Sequence, residues 1–166
     1  MSKEFHPSQR GYFAGELREQ MKENENIVLI VCDLGYGMFD KIREDFPDRF
    51  YNVMASEQAG LGVAVGMSLE GKTVFIYSIT NFLLYRGYEW IRNYIDHESI
   101  PVKLVASGRD KDYEHDGISH WSEDAKQVLD NFPNIEQYWP EEKEDVPKMV
   151  KEMVESGKPS FISLKR

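Results

Sequence analysis

The sequence predicts an α/β fold, a three-layer α/β/α sandwich on a mostly parallel sheet. Two observations carry that expectation. Short apolar runs at residues 27–32, 102–106 and 160–164 show little polar alternation, the pattern of strands covered on both faces. Between consecutive runs lie segments with helical spacing, so strand and helix alternate along the chain. At 166 residues the chain suits one domain over 1–166, large enough to bury about 70% of its unfolded surface.

Taken in order, residues 8–22 have helical spacing (Tyr12, Leu17, Met21) just after Pro7. The apolar run 27–32 is the first strand, and Asp33-Leu-Gly-Tyr-Gly37 the loop beyond it. Residues 38–45 form a helix that stops at Phe46-Pro-Asp-Arg49, and 50–53 a short strand. A helix opens at Ser56, a suitable N-cap, with Glu57 complementing the dipole in its first turn. It carries Gly60, Gly62 and Gly66, each costing roughly 1 kcal/mol against alanine. Ala59, Gly62 or Val63, and Gly66 share one face, which would admit another backbone or a flat ligand. Residues 72–77 form a strand, 82–94 an aromatic helix and 102–106 a strand. A polar loop (107–119), a short helix (123–129), a strand (135–139), a helix (146–156) closed by Gly157 and a last strand (160–164) complete the chain.

Composition narrows the function. A net charge of −9 and a pI near 5.0 argue against nucleic-acid and anionic-membrane partners. No apolar run reaches the roughly 18 residues of a membrane span. Met1-Ser-Lys-Glu-Phe-His6 has no signal-peptide core, and the single cysteine, Cys32, can form no internal disulfide, so a cytoplasmic location is expected. Without a basic neighbour, Cys32 reads as a buried small hydrophobe rather than a nucleophile.

In an open α/β sheet ligands gather beyond the carboxyl ends of the strands. That points to four loops, 33–37, 56–57, 78–85 and 107–120. None holds a P-loop, Gly60-Leu-Gly62 lacks a dinucleotide fingerprint, and no GxSxG elbow occurs. His115 and His120 with Asp112, Glu114 and Asp116 suit either a metal site or, more commonly, a solvated acidic loop; the expectation is that this chain supplies no metal ligand.

Together these pieces resemble the pyrimidine-binding (Pyr) domain of transketolase and 1-deoxyxylulose-5-phosphate synthase, which use thiamine diphosphate. The matching segments run in order over nearly the whole chain. They are Asp33-Leu-Gly35, Phe46-Pro-Asp-Arg-Phe50, Ser56-Glu57-Gln58, Gly62-Val-Ala-Val-Gly66 with Gly71, Phe82, Arg86 with Tyr88, and Asp116-Gly-Ile-Ser-His120. The resemblance implies that Glu57 hydrogen-bonds N1′ of the cofactor's aminopyrimidine and favours the imino tautomer that deprotonates C2. It implies that Phe82, Tyr85 and Tyr88 form the aromatic wall against that ring. It places His120 and Asp116 on the substrate, where they orient hydroxyls or stabilise charge.

The departures from the family pattern are equally informative. The GDG-type motif that binds the diphosphate through Mg2+ is missing, the chain stops at Arg166 where a third domain usually follows, and Gly117-Ile-Ser-His120 replaces the usual Gly-Pro-Thr-His. Arg109 and Lys111 could meet an anionic substrate or simply belong to a charged loop. The resulting expectation is a Pyr subunit of a split transketolase-like enzyme, active only with a partner chain that holds the diphosphate and Mg2+, with a small ketose or 2-oxoacid as substrate. The small-residue face of the glycine helix and the aromatic helix after Phe82 are its expected interface. The alternatives are the Pyr subunit of a 2-oxoacid decarboxylase and a non-catalytic Pyr-like assembly domain.

Overall fold

In the computed structural model, which describes residues 6–166, six strands make one sheet. They are β1 (Ile27–Val31), β2 (Phe50–Asn52), β3 (Thr73–Ile79), β4 (Lys103–Ser107), β5 (Glu136–Tyr138) and β6 (Ser160–Leu164). Their order is β2-β1-β3-β4-β6-β5, and every ladder is parallel. All six strands fall where the sequence places them. The expectation drawn from Met1–Phe5 lies outside the described residues.

Parallel neighbours force each connection back over a face of the sheet, so both faces are covered. The pleat sorts the strand side chains between two cores. Val28, Ile30, Cys32, Val74 and Ile76 pack with α3 (Glu57–Leu69), the irregular helical segment 82–96 and α5 (Ala125–Leu129). Ile27, Leu29, Val31, Phe75 and Tyr77 pack with α1 (Gln9–Glu23), α2 (Asp40–Asp45) and α6 (Val146–Glu155). β1, β4 and β6 are buried at every residue, which is why their sequences lack alternation. The edge strands β2 and β5 are short and partly exposed.

The chain runs outward from β1 to β2, then returns to the other side of β1 as β3. This reversal puts a topological switch point at the carboxyl ends of β1 and β3, where open α/β sheets form a crevice. Register aligns Val31 with Tyr77, so Cys32, just past the end of β1, lies beside Ser78, which is still paired with Ala106 of β4.

One expected helix is not regular. The spacing predicts an α-helix over 82–94, but the chain forms a π-turn (Phe82–Arg86), one turn of α-helix, α4 (Tyr88–Trp90), and a second π-turn (Ile91–Asp96). Gly87 at the first junction explains the break. A Cβ there would lie 1.9 Å from Leu61 Cδ1 of α3, so α3 and this segment touch through a missing side chain.

Candidate functional site

α3 begins at Glu57, but the expected Ser56 cap is not made: the Ser56 side chain has no capping hydrogen bond. Met54 takes a left-handed conformation (φ 55°), and its carbonyl accepts the Ser56 N–H at 2.7 Å. A tight turn therefore leads the chain into the helix. Asp33, just beyond the end of β1, is left-handed as well (φ 54°). Such φ values are uncommon outside glycine and need outside support. Asn52 supplies it to both, its side-chain carbonyl accepting Asp33 N–H at 3.1 Å and Met54 N–H at 2.9 Å. Asn52 thus ties together two of the four loops that the sequence marks.

Glu57 is only 1% exposed, and both its oxygens are engaged. Oε1 accepts from the Ser78 hydroxyl at 2.8 Å, and Oε2 from Arg86 Nη1 at 2.7 Å. A buried carboxylate survives only when paired in this way. Its charge also reaches Cys32, whose thiol is pushed up to about 12, first by burial and then by Glu57. Cys32 stays a buried thiol, as the sequence indicates.

Arg86 links Glu57 to the rest of the site. Its guanidinium carbon lies 3.8 Å from the centre of the Phe82 ring, and Phe82 meets His120 edge-on at 4.8 Å. His120 Nδ1 is 2.9 Å from Ser119 Oγ, and its ring is 6.0 Å from that of Tyr113. The structure thus joins Glu57, Phe82 and His120 in one contiguous wall at the switch point. Tyr85 and Tyr88 face other partners: the Tyr85 hydroxyl donates to Asp124, and Tyr88 packs on Phe132 at 5.1 Å. Burial, then the bond to Asp124, pushes Tyr85 up to about 12. Asp116 is exposed and meets the His120 loop through its carbonyl, which accepts from Ser119 Oγ at 3.5 Å.

Sequence reading did not single out Ser78, Asn81 or Asn52, and placed Arg86 only as a motif residue. A regular helix puts i+3 and i+4 near the same face, whereas a π-turn, with roughly 4.4 residues per turn, favours i+4. Arg86 rather than Tyr85 therefore lies against Phe82. Asn81 Nδ2 donates to the Trp121 carbonyl and, at 3.4 Å, to that of Ser119, the two carbonyls flanking His120. These contacts are long-range, and no local motif signals them.

Other expectations are redrawn. Gly60 faces the sheet, where a Cβ would meet Val53 at 2.9 Å, and Gly62 is covered by Trp90 at 3.0 Å. Of the two alternatives the sequence left, Val63 rather than Gly62 joins Ala59 and Gly66 on the open face of α3, with Leu69 beyond. Arg109 is held by Ser163 and Glu141, its Nη2 donating to the Ser163 carbonyl at 2.5 Å, so it is a structural arginine. Lys111 pairs with Glu123 at 3.5 Å. Asp112 accepts from the Arg109 and Arg166 N–H groups at 2.9 Å each, so the acidic loop spends this carboxylate on backbone. Among the described residues no three His, Cys, Asp or Glu side chains are grouped to hold a metal, and no helix is long and apolar enough to cross a membrane. A groove of about 800 Å³ opens between α1 and the loop after β1, lined by Arg10, Arg18, Lys41 and Tyr36. Arg10 Nη1 bonds Tyr113 Oη at 3.3 Å, so the groove adjoins the His120 wall.

The structure thus sets a buried carboxylate at the switch point of a parallel α/β sheet, flanked by an arginine-stacked aromatic and a histidine loop. Residues 6–166 match the family of the transketolase pyrimidine-binding domain, and the chain belongs to that family. It is 30% identical over 159 residues to a putative transketolase C-terminal section of Methanocaldococcus jannaschii, covering 95% of this chain and 50% of that protein. It is 24% identical over 158 residues to one of the subunits of an apulose-4-phosphate transketolase of Phocaeicola vulgatus, covering 95% and 51%. Among solved structures, a split-gene transketolase described as an inactive β4 tetramer superposes with a TM-score of 0.85 at 29% identity, covering 96% of this chain and 51% of that one. The chain spans about half the length of these relatives.

Proposed function

We propose that this chain is the Pyr part of a split, thiamine-diphosphate-dependent transketolase-like enzyme, which transfers a two-carbon ketol unit or joins carbon skeletons with a partner chain. The observation that carries the reading is Glu57, a carboxylate buried at the switch point beside an aromatic ring. An aminopyrimidine needs that pairing, a carboxylate for its ring nitrogen and an apolar face for its ring, so the residues fit the cofactor. When bound, thiamine diphosphate supplies a carbon nucleophile that attacks a carbonyl.

The chain's own residues bind, orient and move protons. Glu57 hydrogen-bonds N1′, the bond strengthened by burial, while Ser78 fixes the carboxylate plane. Phe82 packs on the ring, while Tyr85 and Tyr88, turned to Asp124 and Phe132, stand beside this wall rather than in it. His120, held by Asn81 and Phe82, offers its imidazole to substrate oxygen, with Asp116 at the mouth of the same loop. The groove beside Arg10, where Lys41 adds a second cation while Arg18 is paired with Asp45 and Glu19 also lines it, suits the anionic end of a substrate.

Relatives described as a C-terminal section, as one subunit of a transketolase and as a split-gene product support a second chain, which would hold the diphosphate and Mg2+. The exposed face Ala59, Val63 and Gly66 and the exposed Tyr85, Tyr88 and Tyr94 suit its interface. Glu57→Gln, assayed with the diphosphate-binding chain, should keep the fold and lower kcat by about 10² or more, with slowed C2 proton exchange of the cofactor. Unchanged exchange would refute the role of Glu57.

A further inference from the structure

We propose that Arg86 is a gate on Glu57: it plays the part of the ligand in the chain by itself, and it yields Glu57 Oε2 when an aminopyrimidine binds. The inference rests on the reading of Glu57 given above. A carboxylate that must meet a ligand has to be reachable, yet Glu57 is 1% exposed, covered by the chain's own side chains. Of its two partners, Ser78 is wholly buried on β3, whereas the Arg86 side chain is 46% exposed. Access to Oε2 from solvent therefore runs past Arg86.

The chemistry of the contact supports a stand-in. Arg86 presents an N–H donor to the carboxylate at 2.7 Å and lays a flat N–C–N face on Phe82 at 3.8 Å. An aminopyrimidine also carries an N–C–N edge and a flat face. The guanidinium thus satisfies the same two surfaces, and the buried charge stays paired by the chain's own means. Arg86 also has somewhere to go. Its side chain is half-exposed, so it can swing off both Glu57 and Phe82 toward solvent, and it ends a π-turn just before Gly87, where helical geometry is already interrupted. The consequence is a chain whose pyrimidine site is self-filled and takes up the ring weakly alone.

The test uses the isolated chain and thiamine, without its diphosphate, as the probe, followed by ligand-observed NMR and calorimetry. R86L removes the donor and keeps the apolar stem, and R86K keeps the charge without the planar fork; thermal melting verifies that each is folded. R86L should bind thiamine roughly tenfold more tightly than the wild type, with R86K between them. In the wild type, Arg86 Nη–H signals should lose protection as thiamine saturates. Equal or weaker binding by both variants, no binding by R86L at the solubility limit, or unchanged Arg86 signals at saturation would overturn the gate. E57Q in the wild-type and R86L backgrounds separates the two readings. If it leaves thiamine binding unchanged in both, the assignment of Glu57 fails; if it weakens binding while R86L does too, only the gate fails.

Discussion

Gly87→Ala tests how closely α3 must approach the segment that carries Arg86 and Phe82. The added methyl would sit 1.9 Å from Leu61 Cδ1 and 2.8 Å from the Leu83 carbonyl oxygen. Carbon atoms rest at about 3.5–4.0 Å, so the first contact is short by more than about 1.5 Å. Leu61 is 0% exposed, and turning its side chain aside would press it into a filled core. The segment must instead retreat from α3, and the substitution should cost about 1–3 kcal/mol, the usual range for overpacking. A retreat on the order of 1 Å would also stretch the 2.7 Å bond between Arg86 and Glu57, and misplacements of that size cost about 10² in rate. Urea unfolding of Gly87→Ala, Leu61→Ala and the double variant gives a double-mutant cycle. Leu61→Ala alone should cost about 2–5 kcal/mol, but it makes room for the new methyl. The double variant should be less destabilised than the sum of the singles by about 1 kcal/mol or more. Additivity within about 0.5 kcal/mol would show that Gly87 does not govern the contact.

His120→Ala, assayed with the partner chain, should lower kcat/KM by about 10² or more and leave thiamine diphosphate affinity intact; equal loss of cofactor affinity would move His120 off the substrate. Val63→Arg, on the open face of α3, should abolish co-elution with the partner while changing the stability of the chain by less than about 0.5 kcal/mol; unimpaired co-elution would place the interface elsewhere. Lys103 is buried, and burial lowers it to about 8 against a smaller upward pull from Glu136. Its Nζ donates to the Ser156 and Lys158 carbonyls at 2.7 and 2.6 Å. Because the unfolded chain holds this proton up to about pH 10.5, it binds more protons than the folded chain between pH 8 and 10.5. Lys103 should therefore contribute a rise on the order of 3 kcal/mol across that window, opposed above about pH 9 by the raised Cys32 thiol, and this contribution, read as the difference between the two stability–pH curves, should be missing in Lys103→Met. Parallel stability–pH curves for the two proteins would refute this.

How much of this was legible beforehand depends on the range of the interaction. The inner strands were readable because a strand buried on both faces is apolar throughout, as 27–31 is, or largely so, as 160–164 is. That Glu57 opens a helix beyond a strand and that His120 lies in the loop after β4 were readable from the alternation of strands and helices, whereas their roles are implied only by the family resemblance. The sequence by itself determined the layers, the sheet and the loops that could carry chemistry. Tertiary structure alone decided which side chains meet there. Ser78 and Arg86 reach Glu57 across 21 and 29 residues, and Asn81 reaches the His120 loop across about 40. The π-turn that exchanges Tyr85 for Arg86 beside Phe82 follows the contact between Gly87 and Leu61, which no local pattern encodes. Periodicity reports which face of an element is buried, because burial acts on every turn alike. A hydrogen bond between two distant side chains exists only once the packing has fixed both backbones, so it leaves no periodic trace in the chain.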